Sequence, residues 1–208
     1  MSEAATKPRA GRLGGKAARE ASIEPVWKQV TPALRDELVA FWTANGAVSD
    51  PQRASARADE VVCVVRDEHG ALCGACSVQV RVLPRLRQPM YYMRMFLAKS
   101  ARGMGQAIPL HNATRDALAA YNRTLERPEA LGVLLEFESR FLSSRFKQAY
   151  HSEGDSTFIG YSPRGLQMRV SYFKDAVLPP PAPLPAALGR RMRAAAGARM
   201  QPRATPAS

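Results

Sequence analysis

Apolar positions along the chain change period several times, and each change marks an element. Residues 24–30 (EPVWKQV) read as a short first strand. Thr31-Pro32 then supplies a helix N-cap followed by proline at the first helical position. Leu34, Leu38, Phe41 and Trp42 recur at i, i+4, i+7 and i+8, the stripe of an amphipathic helix, and Asn45-Gly46 closes it. Asp50-Pro51 opens a second, shorter helix through about Ala58, with Arg53 and Arg57 on its exposed side. The β-branched run 61–65, the turn Asp67-Glu68-His69-Gly70 and the return from Ala71 to Val82 predict a hairpin. A loop with two prolines and two arginines, 83–89, leads into Met90–Ala98. That run is apolar except for Arg94, the pattern of a nearly buried strand.

Beyond that strand the period turns helical. Ile108, Leu110, Leu118 and Tyr121 predict a helix opening at about residue 105 and ending near Arg123. Residues 131–139 (LGVLLEFES) alternate, so Glu136 and Glu138 share one face of a strand. A helix is expected over 141–151, with Phe141, Leu142, Phe146 and Ala149 as core contacts and Gly154 as its end. TFIGYS, a Pro163-Arg164-Gly165 turn and LQMRVSYF make a closing hairpin. The order β α α β β β α β α β β predicts an α/β fold, a mixed sheet with helices on its faces.

Composition narrows the picture. The 208 residues suit one domain, and no apolar run reaches the length of a membrane span. No secretory signal is evident at the start, so a cytoplasmic protein is expected. The net charge is +12, of which residues 1–20 carry +3 and residues 176–208 carry +5, leaving +4 for the middle. The basic character therefore belongs mostly to the ends. Residues 1–22 and 179–208, the latter a Pro-rich linker and an Arg/Ala-rich tail, are read as disordered flanks of one domain at 23–178. Contact with nucleic acid through such tails is conceivable in chemistry, but specific recognition is not indicated. Three cysteines, Cys63, Cys73 and Cys76, are an odd number and lie in strand-like runs. They read as buried thiols. The formal C-x-x-C of Cys73 and Cys76 is not at a helix start, as a redox pair needs, and no second pair completes a metal site.

The chemistry concentrates where the central strand meets its helix, at Arg102-Gly103-Met104-Gly105-Gln106-Ala107. A strand, a glycine-bearing turn and a helix start together can hold phosphate, because the first helical N–H groups lack internal partners and glycines admit close approach. An ordinary strand–helix connection has the same outline. A dinucleotide fingerprint does not fit, since Ile108 occupies its third glycine position, and the Walker pattern lacks its Gly-Lys-Ser/Thr. The turn does match Arg/Gln-x-x-Gly-x-Gly/Ala, and with the element order it resembles the acyl-CoA loop of the GNAT acetyltransferase superfamily over residues 24–175.

That resemblance implies a specific set of roles. Backbone N–H groups from Gly103 through Met104, Gly105 and Gln106 to Ala107 would hold the pyrophosphate of acetyl-CoA or another acyl-CoA, with Arg102 adding charge. The strand backbone at Phe96, Leu97 and Ala98 would pair with the pantetheine arm and polarise the thioester carbonyl. Tyr150, four residues before Gly154, occupies the position of the family's helix-end tyrosine, which commonly protonates the departing thiolate. Ser143 stands where the family often has an asparagine on the cofactor side, and Phe146 where it often has alanine. Glu136 or Glu138 is the candidate base for an amine acceptor, directly or through a water. His151 could neighbour the site, and His111 reads as a surface or packing residue. No metal is expected, and the protein would act as a monomer or homodimer. The substrate pocket would be built by the first two helices and the 83–89 loop. The competing expectation is a non-catalytic CoA-binding or interaction module on the same fold.

Overall fold

A computed structural model of the chain describes residues 21–84 and 86–183. Of the tails expected at 1–22 and 179–208, residues 1–20 and 184–208 lie outside the described residues. Eight strands form one sheet: β1 (Ser22–Pro25), β2 (Val61–Arg66), β3 (Leu72–Val82), β4 (Pro89–Leu97), β5 (Gly132–Phe137), β6 (Tyr150–His151), β7 (Ser156–Tyr161) and β8 (Gln167–Tyr172). Their spatial order is β1-β2-β3-β4-β5-β8-β7-β6. All neighbours are antiparallel except β4 and β5. That parallel pair is joined by the long helix α3 (Ala107–Thr124), as a parallel connection requires. The remaining α-helices among the described residues are α1 (Pro32–Ala44), α2 (Pro51–Ala58) and α4 (Arg140–Arg145).

Helix starts follow local chemistry. The Thr31 hydroxyl accepts from the Leu34 N–H, and the Asp50 carboxylate accepts from the N–H groups of Gln52 and Arg53. The helices pack on opposite faces of the sheet. On one, Leu110 and Leu118 of α3 meet Tyr91, Met93 and Val133. On the other, Leu38, Phe41 and Trp42 of α1 and Ala54 and Ala58 of α2 meet Val61, Val64 and Ala75. All three cysteines are free and buried in β2 and β3, and burial pushes the Cys76 thiol up to about 12.

Four expectations are corrected. The first strand starts at Ser22 and ends at Pro25, because Lys28 takes a left-handed conformation (φ 60°) and a Gln29-to-Val26 turn follows. Trp27 thereby folds edge-on against Tyr91 and Tyr121. Arg57 is not on an exposed face: its guanidinium lies 5.0 Å from the centre of the Trp42 ring and donates to Ser77. The helix expected over 141–151 runs only over Arg140–Arg145 and buries no residue, and Phe141 is exposed. Without an apolar face against the sheet the helix has nothing to extend along. Phe146 leaves it to pack on Phe137 and His151, and residues 150–151 form the edge strand β6. Finally, residues 179–182 do not leave the domain as a free linker. Ala182 exchanges two hydrogen bonds with Arg87, and Gln88 donates to the Pro179 carbonyl.

Candidate active site

The site begins with a parting of two strands. The β4–β5 ladder covers Tyr91–Val133, Tyr92–Leu134 and Met93–Leu135 and stops there. β4 continues beside β3 to Leu97 and β5 continues beside β8 to Phe137, so a wedge opens between them. In an antiparallel ladder successive residues point their backbone groups to opposite sides. The Ala98 N–H donates to the Cys73 carbonyl. With Leu97 opposite Gly74, the backbone of Phe96 therefore also turns to β3, and that of Met95 and Leu97 turns into the wedge. Of the three residues expected to contact a pantetheine arm, only Leu97 presents its N–H there. Phe96 instead places its ring 5.7 Å from that of Phe41.

The glycine turn sits at the end of β4. Gly103 and Gly105 hold φ of 81° and 77°, the left-handed region, with open space where a side chain would begin. Gln106 is the N-cap of α3 and makes no side-chain capping bond, and Pro109 has no N–H. The N–H groups of Ala107 and Ile108 thus lack a helix partner or a side-chain cap, at the positive end of an 18-residue helix with no acid in its first turn. Met104 is exposed between the glycines. Arg102 folds back: its Nε donates to the Leu97 carbonyl at 2.9 Å and its guanidinium lies over the Phe96 ring. It braces the turn against the strand end.

On the α1/α2 face of the sheet, the mouth of the wedge is polar. Arg94 and Glu136 each stand one residue beyond the last paired positions of β4 and β5. Glu136 Oε2 accepts from Tyr92 Oη at 2.6 Å and from Arg164 Nη2 at 3.0 Å. Its side chain is only 9% exposed. Burial pushes its pKa up, but donors from Ser162, Tyr92 and Arg164 outweigh this and hold it below the ordinary carboxylate value. Glu138, on the same face as expected, is exposed and also paired with Arg164 at 3.1 Å. Sequence reading passed over Arg164, which appeared only as part of a turn. It also passed over Glu60, whose carboxylate accepts from Arg94 at 2.6 Å and from Gln79.

No family model and no curated protein matches the chain. Solved structures do. The ribosomal-protein-S5-alanine acetyltransferase from Vibrio fischeri aligns with a TM-score of 0.52 at 11% identity, over 77% of this chain and 97% of that one. The chain has the GNAT fold. A GNAT-family acetyltransferase from Listeria monocytogenes aligns with a TM-score of 0.47 at 14% identity, over 74% and 95% of the two chains. A GNAT superfamily phosphinothricin acetyltransferase from Sinorhizobium meliloti, solved in complex with AcCoA, aligns with a TM-score of 0.46 at 16% identity, over 79% and 94%.

Within this GNAT fold the tyrosine expected as an acid is not at a helix end. Tyr150 lies on β6, three strands from β5 in the sheet order, roughly 14 Å at ordinary strand spacing. Its hydroxyl donates to Asp155 at 2.9 Å, which holds the phenol above its usual pKa. Asp155 in turn pairs with Arg115, eight residues into α3. The structure brings Leu97, the glycine turn and Glu136 to the wedge, and it does not bring Tyr150 to them. Ser143 spends its hydroxyl on the Ser139 carbonyl within α4. His111 is buried, with Nε2 near both the Gly154 carbonyl and the Ser171 hydroxyl, and burial lowers its pKa to about 4.

Proposed function

We propose that the protein transfers an acyl group from acyl-CoA, acetyl-CoA being the simplest donor, to an amine. The observation that carries this reading is the wedge: β4 and β5 part after the Met93–Leu135 pair, Leu97 further along β4 faces the opening with its backbone, and the turn that follows ends at an uncapped helix start. The N–H groups from Gly103 to Ala107 hold the pyrophosphate, and the pantetheine arm runs along β4 in the wedge. The Leu97 N–H donates to the thioester carbonyl, where negative charge develops as the amine attacks. The amine approaches from the α1/α2 face, beside Glu136. A carboxylate held at low pKa is a weak base, so Glu136 orients the ammonium group and passes its proton to solvent through a water. Tyr150 takes no part in this scheme, and the leaving thiolate is protonated from solvent.

The same geometry favours one rival. Arg164 pairs with both Glu136 and Glu138 and partly offsets their charge, which suits a CoA-binding module without turnover. Calorimetry with CoA and a thiol-release assay across amine acceptors separate the two, since only the enzyme liberates thiol. For the donor site, Gly105→Glu forces a side chain into a left-handed position and adds negative charge facing phosphate. CoA affinity is expected to fall at least tenfold, about 1.4 kcal/mol. Unchanged affinity in the folded variant would remove the phosphate site.

A further inference from the structure

The α1/α2 face beside the wedge carries two guanidinium groups that the protein only partly pairs. Arg57 reaches from α2 onto the sheet, stacks on Trp42 and donates through Nε to Ser77 Oγ at 2.9 Å. Ser77 stands directly opposite Arg94 in the β3–β4 ladder, and side chains of such a pair are about 5 Å apart at Cβ. Arg94 has one carboxylate partner, Glu60. Arg57 has no carboxylate within ion-pair distance, and its Nη1 and Nη2 donate to nothing among the described residues. Neither is among the polar atoms sealed from solvent without a partner, whereas Arg94 Nε is. The cost shows in Arg57 itself: burial first, and the Arg94 charge second, lower its pKa to about 10.

Two adjacent arginines with one carboxylate between them leave a cation whose planar fork faces an accessible face. Ring stacking and the Ser77 bond fix the fork in place, so it is already organised for a planar anion and little entropy is lost on binding. Other charges nearby do not fill the role. Glu138 contributes favourable potential at Arg57 but is itself bonded to Arg164, and Glu60 is engaged by Arg94 and Gln79. Arg81 lies over the Tyr92 ring and donates to Gln79.

We propose that the acceptor is an amine that also bears a carboxylate, such as a small amino acid, and that Arg57 with Arg94 grips the carboxylate while the amine points to Glu136 at the wedge. Acyl transfer to such an acceptor rests on the function proposed above; the anion grip does not. The arrangement assigns the two ends of the acceptor to opposite charges, cationic at β3–β4 and anionic at β5.

The test uses the full chain and a panel of L-amino acids, each beside its carboxamide and its decarboxylated amine. Binding is read by ligand-observed NMR titration with CoA present and absent, and turnover by thiol release. At least one acid should bind tenfold or more tightly than its carboxamide. Arg57→Gln should weaken that acid about tenfold and leave the carboxamide unchanged. The comparison of acid with carboxamide on the unaltered protein needs no variant, so it stands even where Arg57→Gln does not fold. If no acid binds, or if carboxamides bind as well as acids, the grip is wrong. Acid binding without thiol release would retain the grip and sink acyl transfer. Thiol release with neutral amines alone would do the reverse.

Discussion

Glu136 shows how one residue's neighbours decide its chemistry. On an alternating strand it could equally be a solvent-side acid, and the sequence does reveal that Glu136 and Glu138 share a face. It does not reveal that Tyr92 and Arg164 both donate to Glu136, because those contacts come from strand register and a distant turn. Glu136→Gln keeps the shape, removes the charge and leaves Arg164 paired with Glu138 alone. In the proposed scheme kcat/KM for a verified amine should fall about 10-fold or more, while CoA affinity stays constant. Its low folded-state pKa also makes it a carboxylate that stabilises the fold above the unfolded value, near 4.5, and loses that contribution as pH falls through the lower folded value. Tyr150 is the opposite case. Its spacing from Gly154 matched a family pattern, yet the hydroxyl is spent on Asp155. Tyr150→Phe should leave kcat within about threefold of the parent. A drop of the 10²–10⁴-fold typical of a lost general acid would return Tyr150 to the mechanism and show that β6 reaches the wedge.

Most elements were legible because their signals were local. Thr31-Pro32, Asp50-Pro51 and the turn at 67–70 gave α1, α2 and the first hairpin nearly to the residue. The failure at α4 has a physical cause: Phe141, Leu142 and Phe146 look like a helical stripe, but sheet packing takes Phe146 and leaves Phe141 in solvent. Close approach between strands is another property that a period cannot display. A Cβ on Gly132 would run into the Ser171 carbonyl and the Tyr172 backbone, where β5 meets β8. Because the obstacle is backbone, relief requires the two strands to separate. Gly132→Ala should cost about 1–3 kcal/mol in urea unfolding. An unchanged midpoint would mean that the β5–β8 contact, and with it one wall of the wedge, is looser than described.

At the scale of the whole molecule, charge and order divide the chain differently. The sequence places +8 of the +12 charge in residues 1–20 and 176–208, which separates basic flanks from a less basic middle. Composition alone set the end of the domain at residue 178, since a proline run reads as linker. In the structure, residues 179–182 bond back onto the loop that precedes β4. A proline has no N–H to donate to a ladder, but its carbonyl remains a good acceptor. Gln88, 8% exposed, donates to the Pro179 carbonyl, and Ala182 pairs with Arg87 through both its N–H and its carbonyl. These bonds tie the segment to the 83–89 loop. Two truncations distinguish linker from strap. Removing residues 1–20 and 184–208 should shift the thermal midpoint by no more than a few degrees, because their composition offers little apolar surface to bury. Removing residues 179–183 as well deletes four hydrogen bonds, two between Ala182 and Arg87, one from Arg87 to the Pro181 carbonyl and one from Gln88 to the Pro179 carbonyl, each contributing about 0.5–1.5 kcal/mol. It also leaves the buried Gln88 amide without its acceptor. At about 2–4 °C per kcal/mol for a chain of this size, the further loss should be about 5–10 °C. Equal midpoints for the two truncated proteins would show that the Pro179–Ala182 contacts contribute nothing to stability and that the domain ends where the proline run begins.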